Sequence, residues 1–271
     1  MKCTARKARK LLIIVLLILA VILVLKELAF AILSRPFDGT SCNIYDHQYY
    51  ISHAGGQIDS LTYLNCEEGL RQSIERGYKY IEFDLCLTED SQLVFTHDKE
   101  TFMRMAGGGK NLRFNYETFK KSLLYNKYHA LAVEDILPFL KNGYFCLVTD
   151  RISSPSIIDS YFSSVKENVM IEATTIDDFN ELKKLGYRPM LTLGDLNHYE
   201  FWYYIRLAIK NKYPIDWIVI SATQSDFRYV RILKRLYGVK TAMYTENDKS
   251  FFEEHVGKEA DLVYTDTWIY N

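Results

Sequence analysis

From residue 49 onward, hydrophobic and polar positions alternate between two periods. Short runs rich in β-branched, aromatic and aliphatic residues predict strands over 49–54, 78–85, 144–149, 169–173, 188–193, 217–221, 240–244 and 262–265. Between them, apolar residues recur every three or four positions, which predicts helices over 66–76, 133–141, 155–167, 176–185, 198–210, 227–237 and 250–257. Val133, Ile136, Leu137 and Leu140 share one face of the second of these, and Pro155 opens the third where a first turn tolerates proline. Gly77, Gly143, Gly186 and Gly238 each stand between a helix and the next strand, as stop signals do. Eight strands alternating with seven helices predict an α/β fold, a (β/α)8 TIM barrel whose last helix is irregular or missing. A short extra strand over 92–97 follows the turn Thr88–Ser91, and residues 99–131 fit no barrel element, so they read as an insertion over the mouth. Gly107-Gly108-Gly109 lies in that insertion; it follows no strand and lacks a Lys-Ser/Thr partner, which argues against a phosphate loop.

The N-terminus has a third pattern. Lys2, Arg6, Lys7, Arg9 and Lys10 precede fifteen uninterrupted apolar residues, Leu11–Leu25; Lys26 and Glu27 interrupt, and Leu28–Leu33 continues. A membrane span needs roughly 20 residues, and the whole stretch supplies 23 with Lys26 and Glu27 snorkelling at one interface. Residues 1–35 therefore read as a basic cytoplasmic tail and single-pass anchor, and 36–271 as an extracytoplasmic domain. Ala29-Phe30-Ala31 resembles a small-x-small cleavage site, so a cleaved signal and a secreted domain are the rival.

Charge narrows the partners. The chain carries −1 overall, and leaving out the five N-terminal positive charges gives −6 for the rest, which argues against nucleic acid. With 48% hydrophobic and 25% charged residues the composition is that of a globular protein. Cys86 and Cys146 lie inside apolar runs and read as core residues; Cys42 and Cys66 are candidates for a disulfide.

The chemistry gathers at strand ends: His53-Ala54-Gly55-Gly56, Glu82-Phe83-Asp84 and His97-Asp98. Glu82 and Asp84 stand two apart on a strand and face the same side, the barrel interior, where paired negative charges demand a cation or protons. Asp150 ends the next strand beside them and is a third candidate ligand, or else a helix cap. All-oxygen donors suit Mg2+ or Ca2+ better than zinc. His53 and His97 are candidates for acid–base work because imidazole titrates near neutrality, and Gly55-Gly56 allow close backbone approach to a ligand. His47, His129, His198 and His255 have no such company and read as surface residues. Together these groups point to metal-assisted hydrolysis or transfer.

In this order the residues resemble the glycerophosphodiester phosphodiesterase family, within the phosphatidylinositol-phospholipase-C-like superfamily, in a His-Ala-Gly-Gly form. The family's pattern matches His53-Ala54-Gly55, Asn65, Glu82-x-Asp84, Thr88-Glu89-Asp90-Ser91 and His97-Asp98, then Tyr244-Thr245-Glu246-Asn247 and Leu262-Val263-Tyr264-Thr265-Asp266. The resemblance implies a TIM barrel that cleaves phosphodiesters, with Glu82, Asp84 and Asp150 on Mg2+ or Ca2+ and His53 and His97 as nucleophile or base and acid. It also implies substrate contacts from Asn65 and Tyr244. Two family cations are replaced: Ala54 stands for Arg in His-Arg-Gly, and Asp150-Arg151-Ile152 for Glu-x-Lys. Arg151, Arg104 or Lys110 are the candidates to restore the charge, with Arg151 the expected substrate contact. Glycerophosphodiesters, phospholipid headgroups or a glycerol-phosphate envelope polymer are the expected substrates. A cyclising phospholipase-type reaction and a non-catalytic envelope-binding barrel are the alternatives.

Overall fold

The computed structural model describes residues 2–38, 42–108, 112–152 and 154–267, and in the first helix it describes side chains from Lys10 onward. Helix α1 (Lys2–Leu33) contains one stretch, Lys10–Leu33, long and apolar enough to cross a membrane; its apolar side chains from Leu11 to Leu25 are exposed. Strand β1 (Tyr50–Ser52) then begins the barrel, followed by α2 (Glu67–Glu75), β2 (Tyr80–Leu87), α3 (Val133–Lys141), β3 (Cys146–Asp150) and α4 (Pro155–Phe162). The remaining units are β4 (Val169–Ala173), α5 (Ile176–Leu185), β5 (Arg188–Gly194), α6 (His198–Lys210), β6 (Trp217–Ser221), α7 (Phe227–Tyr237), β7 (Lys240–Tyr244), α8 (Lys249–His255) and β8 (Leu262–Thr265). Each neighbouring pair of β1–β8 is parallel, and β1 pairs with both β2 and β8, so the sheet closes into an eight-stranded (β/α)8 barrel.

Alternation along the strands makes two cores. Ile81, Phe83, Leu147, Ile171, Leu191, Met243 and Val263 point outward and bury against the helices. Cys146, Val148, Met170, Met190, Val219, Ala242 and Leu262 point inward and fill the barrel floor. Fully burying one such aliphatic or aromatic side chain contributes about 1.5–3 kcal/mol. Stepping two residues along each strand from that floor reaches the mouth: Val148 gives way to Asp150, Met170 to Glu172, Met190 to Thr192 and Leu262 to Tyr264. The period of two that packs the floor therefore aims polar groups into the opening.

Several boundaries differ from the sequence expectation. β1 stops at Ser52 because Ala54 takes a left-handed conformation (φ 48°) and turns residues 53–55 into a 3-10 loop. β3 begins only at Cys146, with Tyr144 exposed ahead of it. Helix α4 ends at Phe162 and gives way to a 3-10 segment, Ser163–Asn168, kinked at buried Val165 (φ −139°). Gly186 and Gly238 do end α5 and α7 in left-handed geometry, as Cβ-free residues can.

Residues 93–95 pair antiparallel with the end of β2. The following segment holds two short helices, Lys99–Met105 and Tyr116–Lys121, and a two-stranded ribbon. Phe102, Phe114, Phe119 and Leu124 give it a small core of its own. Cys42 and Cys66 are both free thiols: Cys66 Sγ instead caps α2, accepting from Gly69 N at 3.3 Å, while Cys42 donates to the Val256 carbonyl. Cys146 is buried and Cys86 half-buried. His255 is not a surface residue: it is buried between Phe227 and Phe251 and paired with Glu259.

Candidate active site at the barrel mouth

The turn after β1 is built to bring one backbone close to its neighbours. Gly55 has φ +78°, and a Cβ there would lie 2.9 Å from the Phe83 ring. Ser73 of α2 donates to the Gly55 carbonyl at 3.0 Å, and Ala54 N donates to Glu82 Oε2 at 2.8 Å. A non-glycine residue held left-handed costs of order 1–3 kcal/mol; at Ala54 that strain sits beside His53.

His53 Nδ1 lies 2.7 Å from Asp266 Oδ1, and its Nε2 lies 3.9 Å from Glu82 Oε2. The carboxylate fixes the proton on Nδ1 and leaves Nε2 facing the cavity. Tyr63 stands edge-on to the ring with centroids 4.6 Å apart. His97 repeats the wiring: its Nδ1 is 2.5 Å from Asp98 Oδ2, and its Nε2 meets the Arg151 guanidinium. Asp98 also caps the helix Lys99–Met105 through Thr101 N, and that backbone bond, opposed by partial burial and aided by His97, holds its pKa down at about 2.

Between the histidines, Glu82, Asp84 and Asp150 each present an oxygen within 4.8 Å of the others. Strand register causes this: Asp84 lies beside Asp150 across the β2–β3 pair, with Glu82 one inward step below. Burial, then the neighbouring Asp84 and Asp150, raises the Glu82 pKa well above the carboxylate range. Burial, then Glu172 and Asp84, pushes Asp150 up to about 8. Asp150 Oδ1 is buried without a hydrogen-bond partner among the described residues. Three clustered carboxylates with an orphaned oxygen are what a hard divalent cation would satisfy, so Mg2+ or Ca2+ fits these residues.

Arg151 lies at the mouth with positive φ (61°), donating from Nε to Asp84 Oδ1 at 2.9 Å. Arg104 lines an adjoining recess with Tyr63, His97 and Thr101, and Lys110 lies outside the described residues. Tyr244 lines the cavity. Asn65 does not: it is fully buried, donates to Asp84 Oδ2 at 2.8 Å and accepts from Asp84 N at 3.0 Å, so its amide holds Asp84 from behind.

Sequence reading missed Glu172. It lines the same cavity, about 350 Å³ in volume, where it accepts from the Tyr264 hydroxyl and from Thr192 Oγ1. Burial raises its pKa, against those two hydrogen bonds. The signal was parity: Glu172 is two residues beyond the floor residue Met170. Asp266 had entered only as part of a terminal motif. Burial alone would raise its pKa, but the hydrogen bond to His53 carries it below the ordinary value.

Comparisons with known proteins agree with this geometry. A model of the glycerophosphoryl diester phosphodiesterase family matches residues 63–184. No curated protein sequence matches. Among solved structures, a phosphodiesterase from Oleispira antarctica, in complex with the product sn-glycerol-3-phosphate, superposes with a TM-score of 0.64 at 16% identity. The alignment covers 80% of this chain and 92% of that one. A glycerophosphodiester phosphodiesterase from Thermotoga maritima gives 0.61 at 20% identity, covering 82% and 95%. One from Agrobacterium tumefaciens gives 0.58 at 15%, covering 81% and 96%. At these identities the structures establish a shared barrel, while the matched segment carries Glu82, Asp84, His97 and Asp150. Over residues 63–184 the chain matches the glycerophosphoryl diester phosphodiesterase family, and across the barrel it shares the fold of solved phosphodiesterases.

Proposed function

We propose that the barrel mouth hydrolyses a glycerophosphodiester, a phospholipid headgroup or a glycerol-phosphate polymer with the help of a divalent cation. The observation that carries this is the convergence of three carboxylates and two carboxylate-wired histidines on one cavity. Glu82, Asp84 and Asp150 would hold Mg2+ or Ca2+, which supplies polarisation of the phosphoryl oxygens when bound. His53, with Nδ1 tied to Asp266, presents a basic Nε2 as nucleophile or general base. His97, tied to Asp98 through Nδ1, would protonate the leaving alkoxide from Nε2 as an imidazolium, once Arg151 has turned from that nitrogen to the phosphate. Arg151 reaches the cavity next to His97 and offers the phosphate a charge-assisted donor in place of the family's lost Arg and Lys. Its presence favours catalysis over a purely binding barrel.

Residues 1–35 are proposed as the anchor and 36–271 as an extracytoplasmic catalytic domain, supported by the exposed apolar helix and the five preceding positive charges. The full chain in detergent, assayed with Mg2+ or Ca2+ over a panel of phosphodiesters, should release a phosphomonoester, and His53→Ala should abolish it. Equal inertness of wild type and mutant across the panel would refute the proposal. A cyclic phosphate seen by phosphorus NMR would move the reaction to the intramolecular class.

A further inference from the structure

We infer that the barrel mouth faces the membrane, so that its substrate is a phosphodiester carried by a lipid in the bilayer. The inference rests on the anchor and active-site readings above and adds an orientation to them. The observation behind it is how the end of α1 lies along α7. Phe30 packs against Tyr229 with ring centroids 6.1 Å apart, and the Arg228 guanidinium lies over Phe30 at 5.8 Å. Farther along, Arg231 Nη1 donates to the Ser34 carbonyl at 3.3 Å, and Arg235 Nη1 donates to the Leu33 and Arg35 carbonyls at 2.5 and 2.7 Å. Residues 30 to 35 thus descend α7 in step with 228 to 235. In a (β/α)8 barrel each helix starts at the mouth and ends at the floor, so α1 passes the mouth first. Everything before Lys26 projects beyond the mouth, and that segment is the apolar run.

Length then places the bilayer. Leu11–Leu25 spans about 22 Å at 1.5 Å per residue, against a hydrocarbon core about 30 Å thick. The missing turn and a half must come from Lys26–Phe30. Three of them, Lys26, Glu27 and Phe30, share a recess of about 370 Å³ with His198, Phe201, Trp202 and Tyr229, at the mouth ends of α6 and α7. The rim of the mouth on this side therefore meets the headgroup layer. Its surface suits that position: Tyr199 is 79% exposed, Trp202 46% and Tyr203 41%, all in the first turns of α6. Exposed Trp and Tyr beside a span are the residues that settle at membrane interfaces.

The test uses the full chain in phosphatidylglycerol–phosphatidylcholine vesicles, with and without brominated acyl chains. Two single-tryptophan forms are compared: Trp202 alone (W217F/W268F) at the mouth, and Trp217 alone (W202F/W268F), which begins β6 at the floor. Brominated lipid should quench Trp202 about twofold, as a ring seated 5–10 Å into the interface would be, and leave Trp217 unchanged. Quenching of Trp217 instead, or of neither, overturns the orientation. Removal of the chain by alkaline carbonate would instead locate the failure in the anchor, and the orientation falls with it. In the same vesicles, Y199S/W202S should slow hydrolysis of a lipid-borne diester about tenfold, the loss expected when interfacial contacts are removed, and leave a soluble glycerophosphodiester unaffected. Equal slowing of both also overturns the proposal. Inertness toward every diester, with Trp202 still quenched, would refute the catalytic reading and leave the orientation standing.

Discussion

The two halves of the barrel mouth are built differently. On the β1–β3 side the chemistry comes in pairs one or two residues apart: Glu82 with Asp84, His97 with Asp98, Asp150 with Arg151. On the β4–β8 side it comes mostly as single groups among core residues, Glu172, Thr192 and Tyr264, with Tyr244 beside Thr245 and Asp266 just past the end of β8. The first side presents oxygens to the cavity and leaves Asp150 Oδ1 unsatisfied. The second is satisfied, Glu172 by Tyr264 and Thr192 within the side, Asp266 by Asn247 and by His53 from across the mouth. The contrast suggests a division of labour, in which one side binds and reacts and the other orients and tunes.

The contrast breaks most sharply under substitution of the first side. Asp150→Asn or His53→Ala should lower kcat/KM by about 10²–10⁴-fold, the range for losing a positioned catalytic group; steady-state kinetics at saturating cation check this. Glu172→Gln and Asn65→Ala act on groups behind the carboxylates, and each should cost about 10–100-fold in cation affinity, measured by titration calorimetry. If Glu172→Gln were as damaging to cation binding as Asp150→Asn, Glu172 would be a ligand and the division would fail. Asp266→Asn should lower kcat with KM little changed and displace the acid limb of the pH–rate profile, because the imidazole loses the carboxylate that fixes its tautomer.

The smallest effect is on stability. Glu82, Asp150 and Glu172 all have raised pKa values in the folded chain. Groups raised in this way stabilise the fold while protonated. Their contribution is complete below the ordinary carboxylate pKa and is lost as pH rises through the folded value, about 8 for Asp150. In chelator, the melting temperature should therefore fall between about pH 4 and pH 8. Added Mg2+ or Ca2+ should restore it, by an increment that grows with pH as the carboxylates ionise. A cation increment independent of pH would contradict the assignment.

The same contrast explains what could be read from the sequence. The barrel was legible because its floor and its helix-facing core obey a period of two: 169–173, 217–221, 240–244 and 262–265 were read with the bounds observed. The first side of the mouth was legible because carboxylates two apart on a strand, or a His beside an Asp, form a pattern within a few residues. Glu172 forms none: in Val-Met-Ile-Glu-Ala it is one polar residue, and only strand register places it next to Asp150. Asn65 was misjudged for the related reason that its partner, Asp84, is 19 residues away. The break in β1 was hidden because Ala54, unlike glycine, gives no hint of a left-handed turn.

The central claim, a cation-assisted phosphodiesterase at the mouth, is tested most directly by one assay. The full chain is given a glycerophosphodiester, with Mg2+ or Ca2+ in one arm and chelator in the other, and release of glycerol phosphate is followed. Hydrolysis that the chelator abolishes and re-added cation restores is the predicted result. Hydrolysis that proceeds unchanged in chelator would contradict it.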